Sequence, residues 1–253
     1  MVIALLTDFG TRDYFVGAMK GAILSIAPKA SIIDITHDIE PQDIRGAALT
    51  FAACYQDFPQ GTVFVVVVDP GVGSNRRAIA ATSGGYHFVA PDNGVLSFVL
   101  AKNARLYELT NRKYFAREVS NTFHGRDIFA PVAGHLSSGI SPSECGPEID
   151  DPVLFEFPRP FRISDKVFSA EIIHIDHFGN LLTNLTPADL PTEFHIEMKG
   201  VTIERNLGYY AEAKSDEPFS ILGSAGFLEI VVNQRSAKEH FSAQVGDKLI
   251  VQT

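Results

Sequence analysis

The chain has only two cysteines, Cys54 and Cys145, far apart and without a companion of the CxxC kind. That excludes a disulfide framework and argues against a zinc site, so both thiols are expected to be reduced and structural. No apolar run approaches the roughly 18 residues that cross a bilayer. The N-terminal run, Val2 to Leu6, stops at Thr7-Asp8 and is too short for the core of a signal peptide, so a cytoplasmic protein that meets no membrane is expected. Clusters of lysine and arginine are also missing. With a formal charge of -9 and no basic patch, nucleic acid is excluded as a partner and a small molecule is favoured. There is no internal repeat and no low-complexity segment.

The chain does have length and apolar content: 253 residues, 45% hydrophobic, enough to bury a core in each of two domains. From Val2 to about Leu109, short apolar runs alternate with helical periodicity. Strands are expected at Val2–Leu6, Ser31–Thr36 and Val63–Val68, with helices near Tyr14–Ala27 and Asp43–Gln56 between them. This βαβαβ order predicts a largely parallel sheet with right-handed crossovers. Further strands fit Ala78–Thr82, His87–Ala90 and Leu106–Leu109, with helices near Val95–Ala101 and Ile128–Ser137, which together make an α/β sandwich. Five prolines between Ser141 and Pro160 read as a linker. Beyond it, short strand-like runs at Val167–Ile175, Leu181–Leu185, Phe194–Met198, Phe219–Leu222, Phe227–Val232 and Lys248–Gln252 predict a small β-barrel. The expected division is an N-terminal α/β domain over 1–160 and a C-terminal β-barrel domain over 161–253.

Three loops hold most of the charged chemistry of the first half: Thr7-Asp8-Phe9-Gly10, Asp69-Pro70-Gly71-Val72-Gly73-Ser74 and Thr122-Phe123-His124-Gly125-Arg126-Asp127. The first two follow buried strands, so Asp8 and Asp69 stand at carboxyl ends, the edge where open parallel sheets bind ligands. A buried carboxylate needs donors or a cation, and Arg76 is in reach of Asp69 along the chain. Asp8 reads either as a cap of the turn into the first helix or as an acceptor for a vicinal diol. The Asp69 loop lacks the lysine of a Walker motif and the third glycine of a dinucleotide fingerprint, so a tight strand connection competes with an anion cradle. His124 gains weight from its company, since a histidine, an aspartate and an arginine in turns of one domain can orient and deprotonate a water. Asp127 is a candidate helix cap. On a strand, His174 and Asp176 share a face while His177 points away, which sets aside a metal site there.

Taken in order, Thr7-Asp8-Phe9-Gly10, Val68-Asp69-Pro70-Gly71-Val72-Gly73, Asn121-Thr122-Phe123-His124-Gly125-Arg126-Asp127 and Asp176-His177-Phe178-Gly179-Asn180 resemble the S-adenosylmethionine hydroxide adenosyltransferases, the SAM hydrolases related to the fluorinating and chlorinating enzymes. The resemblance runs from residue 2 to about 235. It implies an N-terminal α/β domain, a C-terminal β-barrel and a homotrimer with substrate held between one subunit's N-terminal domain and a neighbour's C-terminal domain. It further implies Asp69, Arg76 and His124 as the water-handling set and Asp8 as the ribose-diol aspartate. Asp176, Phe178 and Asn180 would lie at the adenine and methionine side, with Ser224, Glu229 and Asn233 in or near the methionine-binding segment. S-adenosylmethionine is then the substrate, with no cofactor and no metal, because the sulfonium already activates C5′. The halogenating relatives carry other side chains where Asp69 and His124 stand, and the fluorinase adds a loop that is missing here. Three rivals remain: a non-catalytic adenosine-binding module, a halogenase-type adenosyltransferase, and a methyltransferase, whose glycine-rich first loop does not follow Leu6.

Overall fold

The computed structural model describes residues 1–214 and 216–252. The chain divides into two compact units, Met1–Glu156 and Phe157–Thr253.

The first unit runs β1 (Val2–Thr7), α1 (Phe15–Ile26), β2 (Ser31–Thr36), α2 (Ile44–Ala52), β3 (Val63–Val67), β4 (Ala78–Ser83), β5 (Tyr86–Pro91), β6 (Arg105–Glu108), α3 (Ala130–Ser137) and β7 (Glu148–Ile149). Its strands form one sheet in the order β2-β1-β3-β5-β4-β6-β7. Alternate residues of β1 and β3 feed two cores. Ile3, Leu5, Val63 and Val65 pack with Met19, Ile23 and Val132 of α1 and α3, while Ala4, Leu6, Phe64 and Val66 pack with Phe51 of α2. Burial on both faces is why these strands are unbroken apolar runs with no polar alternation. At the head of α2, the Asp43 side chain accepts the Gly46 N–H at 2.8 Å and caps the helix.

The sheet is mixed, which corrects the expectation of a largely parallel one. The pairings β2-β1, β1-β3 and β3-β5 are parallel, but β5-β4, β4-β6 and β6-β7 are antiparallel. The cause is local: Gly84 and Gly85 have φ of +56° and +84°, the backbone of a two-residue hairpin, and so short a loop leaves no room for a crossover. The expected helix at Val95–Ala101 is a string of tight turns, with Ser97 and Val99 N–H groups donating three residues back. Its apolar spacing reflects burial of Val95, Leu96 and Val99 in the α2-side core. Part of the proline-bearing stretch is also anchored: the Val153 and Phe155 N–H groups donate to Asp92 and Ser97 side chains at 2.8 and 2.7 Å, and Asp151 pairs with Arg77. The two thiols are free, and burial pushes each up to about 11, as expected for structural cysteines.

The second unit holds β8 (Phe161–Ser164), β9 (Val167–Ile175), β10 (Leu181–Thr183), β11 (His195–Met198), β12 (Val201–Ile203), β13 (Asn206–Leu207), β14 (Pro218–Leu222), β15 (Leu228–Val232), α4 (Ala237–Phe241) and β16 (Lys248–Gln252). Its sheet runs β12-β11-β16-β9-β10-β15-β14-β13, with β8 added on β9, and among the described residues only the β13-β14 pair is parallel. The sheet curls until β12 meets β14, a half-barrel around Ile172, Leu181, Ile196, Ile230 and Val251. Among the described residues no helix is long and apolar enough to cross a membrane.

Candidate functional site

In the first unit, β1 and β3 lie side by side and in parallel, with Thr7 opposite Val67, so the Asp8 and Asp69 loops leave the same sheet edge from neighbouring strands. The Asn93 amide donates to the Val68 carbonyl at 2.8 Å and fixes the chain just before Asp69. Past it, Gly73 has φ +77° and lies so close to the Asn121 carbonyl that no side chain fits there. This close approach brings the Asp69 and His124 loops together. Phe123 of the second loop packs edge-on against Phe9 at 6.0 Å and Phe15 at 5.2 Å, which ties in the Asp8 turn.

Asp69, Arg76 and His124 form one cluster. Arg76 Nε donates to Asp69 Oδ1 at 2.9 Å and its terminal nitrogen to Oδ2 at 2.5 Å, a bidentate pair whose side chains are 11% and 5% exposed. The same terminal nitrogen lies 2.7 Å from His124 Nδ1, and the guanidinium sits 5.3 Å over the Phe129 ring. Arginine has no acceptor, so Nδ1 must present its lone pair and any proton of the neutral ring is on Nε2. Burial, and then the Arg76 charge, holds the imidazole below its ordinary range; Asp69 and Asp127 pull weakly the other way. His124 opens a wide turn, Gly125–Phe129, which leads into α3. Asp127 is not the helix cap the sequence suggested. Its carboxylate pairs with Arg126 at 2.6 Å and accepts the Ser120 N–H at 2.8 Å, because it lies inside the wide turn and one turn before α3. Asp8 is not a helix cap either: its Oδ2 accepts the Gln42 N–H at 2.8 Å.

The other predicted positions collect in the second unit. Asp176, Phe178, Asn180, Ser224, Glu229 and Asn233 all line a cleft of about 700 Å³. Asp176 follows β9 and is pinned by its own turn: Oδ1 accepts the Phe178 and Asn180 N–H groups and Oδ2 accepts the Asn180 side-chain amide, all at 2.8 to 2.9 Å. Gly179 at φ +82° makes the turn, and Phe178 stands 75% exposed at the rim. The Asn233 amide donates to the Ala213 carbonyl at 3.0 Å. Glu229, on β15, is buried and accepts the Tyr210 hydroxyl at 3.2 Å. Burial, and then nearby Asp176, raises the Glu229 carboxyl above the usual range, and Tyr210 is pushed up to about 12 by burial and the Glu229 charge. Sequence reasoning missed Tyr210, which opens a single short helical turn, Tyr210–Glu212, and has no motif around it; it also missed Asn93, which acts through its side-chain amide, and Gln42, which acts through its backbone N–H. Among the described residues no group of three or more His, Cys, Asp or Glu, the His174, Asp176 and His177 trio included, is arranged to hold a metal ion.

A mixed α/β unit with paired charges at its sheet edge, followed by a curled antiparallel unit with an acidic cleft, is the architecture of an enzyme or binding protein for a small, polar substrate. The profile of the SAM hydroxide adenosyltransferase N-terminal domain matches residues 3–146 and that of the C-terminal domain matches residues 170–250. The chain belongs to the SAM hydroxide adenosyltransferase family. It is 36% identical to the (R)-S-adenosyl-L-methionine hydrolase of Salinispora arenicola, over 98% of this chain and 97% of that one. It is 34% identical to the hydrolase of the same name from Thermus thermophilus, over 96% of each. A fluorinase of an Actinoplanes species is 30% identical over 97% of this chain and 95% of its own. Among solved structures, an uncharacterized conserved protein from Thermotoga maritima superposes with a TM-score of 0.89 at 34% identity, covering 99% of this chain and all of that one.

Proposed function

We propose that this chain hydrolyses S-adenosyl-L-methionine to adenosine and L-methionine by attack of water at C5′ of the ribose. The observation that carries the reading is the Asp69–Arg76–His124 cluster, where a carboxylate and an imidazole share one guanidinium. Full-length similarity to two hydrolases supports the reaction class. In the proposed step the water oxygen bonds to C5′ while the C5′–S bond breaks, and its electron pair goes to sulfur, which leaves as the neutral thioether of methionine. With His124 Nδ1 taken by Arg76, its Nε2–H is left to donate to the water oxygen, and Asp69 Oδ1, which accepts one Arg76 N–H where Oδ2 accepts two, keeps a lone pair and takes the water proton. Arg76 keeps both partners in register. The carboxylate also disfavours a halide in the same place, which separates the chain from a halogenase.

In this reading Asp8 accepts the ribose diol. Asp176, Phe178, Asn180, Ser224, Glu229 and Asn233 hold the adenine and methionine portions. The two units act as an α/β sandwich domain and a small β-barrel domain divided near residue 160. The enzyme works in the cytoplasm without metal or cofactor, as a homotrimer whose sites form at subunit interfaces. The relatives' names point to the R configuration at sulfur. Incubation with each sulfonium epimer, with chromatography of the products, tests the whole reading. Adenosine and methionine in equal amounts support it. Intact substrate indicates a binding module, 5′-chloro-5′-deoxyadenosine in chloride a halogenase, and S-adenosylhomocysteine a methyltransferase.

A further inference from the structure

The segment after β2 clasps the Asp8 turn at three points. Gly10 N–H donates to the His37 carbonyl at 2.8 Å, Gln42 N–H donates to Asp8 Oδ2 at 2.8 Å, and Thr7 Oγ1 lies 2.8 Å from His37 Nδ1. Gln42 holds φ +68°, a left-handed conformation that non-glycine residues rarely adopt, and its N–H is aimed at Asp8. Thr7 is fully buried and His37 is 4% exposed, so neither finds a substitute partner in bulk water.

The polar contacts around His37 run in one direction. Lys20 Nζ meets Asp34 Oδ2 at 2.6 Å, and Asp34 Oδ1 lies 3.0 Å from His37 Nε2, off the line of a good hydrogen bond. A bare Nε2 lone pair so close to the Asp34 carboxylate would be repelled by its negative charge, so Nε2 carries a proton. In the tautomer with its lone pair on Nδ1, the ring accepts the Thr7 hydroxyl proton. Thr7 Oγ1 in turn accepts the Phe9 N–H at 3.2 Å, and Asp8 lies between the two residues so joined. Nothing in the proposed chemistry uses Thr7 or His37.

We infer that Thr7 and His37 are positioning residues for substrate binding: they lock the Thr7–Gly10 turn against the 37–42 segment so that the Asp8 carboxylate is aimed before the substrate arrives. This rests on the diol reading of Asp8. A preset carboxylate avoids part of the ordering cost of binding, so losing the lock weakens affinity and leaves the chemical step alone.

The test is a cycle of variants, Thr7→Val, Thr7→Ser and His37→Asn, each made alone and with Asp8→Ala. It is read as KM and kcat for S-adenosylmethionine, Kd for adenosine, and melting temperature. Thr7→Val is expected to raise KM and Kd about tenfold with kcat changed less than about threefold. Thr7→Ser, which keeps the hydroxyl, should stay within about twofold of the parent, and His37→Asn, which keeps an acceptor near Nδ1, should fall between. In the Asp8→Ala background Thr7→Val should add nothing further to KM, because the residue it acts through is gone. A KM that rises equally with and without Asp8, or a lower melting temperature with unchanged KM and Kd, overturns the inference. If Thr7→Val does not fold, His37→Asn in the same cycle decides by the same criteria. An unchanged KM for Asp8→Ala alone overturns the diol reading itself, a separate failure from that of the clasp.

Discussion

The two regions that gather the candidate residues treat charge in opposite ways. At the sheet edge of the first unit four carboxylates have cations, Asp69 with Arg76, Asp127 with Arg126, Asp92 with Arg77 and Asp34 with Lys20, while Asp8 is held by the Gln42 N–H. In the cleft of the second unit, Asp176 is satisfied by its own turn and Glu229 by a tyrosine hydroxyl, while Arg235 in the cleft wall pairs with Asp216. The first arrangement is electrostatics fixed in advance, which suits a group that must stay ionised and oriented while a bond breaks. The second pairs neither carboxylate with a cation among the described residues, which suits the capture of a ligand that brings its own positive charge. In the proposed function the edge carries the chemistry together with the Asp8 contact to the ribose, and the cleft carries the rest of recognition.

The sharpest way to break the comparison is at Asp69. Asp69→Asn keeps the shape and removes the proton acceptor, so kcat is expected to fall about a thousandfold with adenosine affinity within about threefold. Calorimetry beside single-turnover rates checks it; a comparable loss of affinity would move Asp69 to the binding side. His124→Ala should lower kcat about a hundredfold, again with binding retained. Because burial and Arg76 depress the His124 pKa, the ring stays neutral to lower pH than a free histidine, whose value is 6.5. The acid limb of kcat should therefore have its midpoint below pH 6.5, and activity should fall as pH drops through it. Arg76→Gln, which removes the second cause of the shift, should move that limb upward.

Asp8→Ala, at the same edge but assigned to binding, is expected to raise KM about tenfold or more while kcat changes little. The smallest effect falls in the cleft. Glu229 holds its proton to higher pH in the folded state than in the unfolded one, so the folded protein is penalised above its folded pKa, and the penalty vanishes below the unfolded value of 4.5. Glu229→Gln should then raise the melting temperature by a few degrees at pH 8 and hardly at all at pH 4. The reverse order in a calorimetric scan would show that the carboxylate has a partner it depends on.

What could be read from the sequence follows from how far each feature reaches along the chain. β9 was legible to the residue, Val167–Ile175, because its apolar run is long and bounded. β2 was equally so, and α1 was within one residue at each end. The antiparallel half of the first sheet was not, since strand direction depends on the hairpin at Gly84-Gly85 and on pairings distant in sequence. Val95, Leu96 and Val99 carry helical spacing into a string of turns because tertiary burial outweighs local period. In the candidate site, Asp69, Arg76 and His124 could be proposed as partners because loop motifs carried them. The lone-pair assignment on His124 Nδ1 came only from its distance to Arg76. Tyr210 and the Gln42 N–H have no signature of residue type; a side chain on a single short helical turn and a backbone amide reach their partners only through the fold.

The central claim is that Asp69 and His124 aim a water at C5′. Turnover of S-adenosylmethionine in water bearing a heavy oxygen isotope, with mass spectrometry of both products, tests it most directly. The account predicts the label in the 5′-hydroxyl of adenosine and none in methionine, with label incorporation lost in step with kcat in Asp69→Asn. Label in the amino-acid product, or labelled adenosine formed at the parent rate without Asp69, would contradict it.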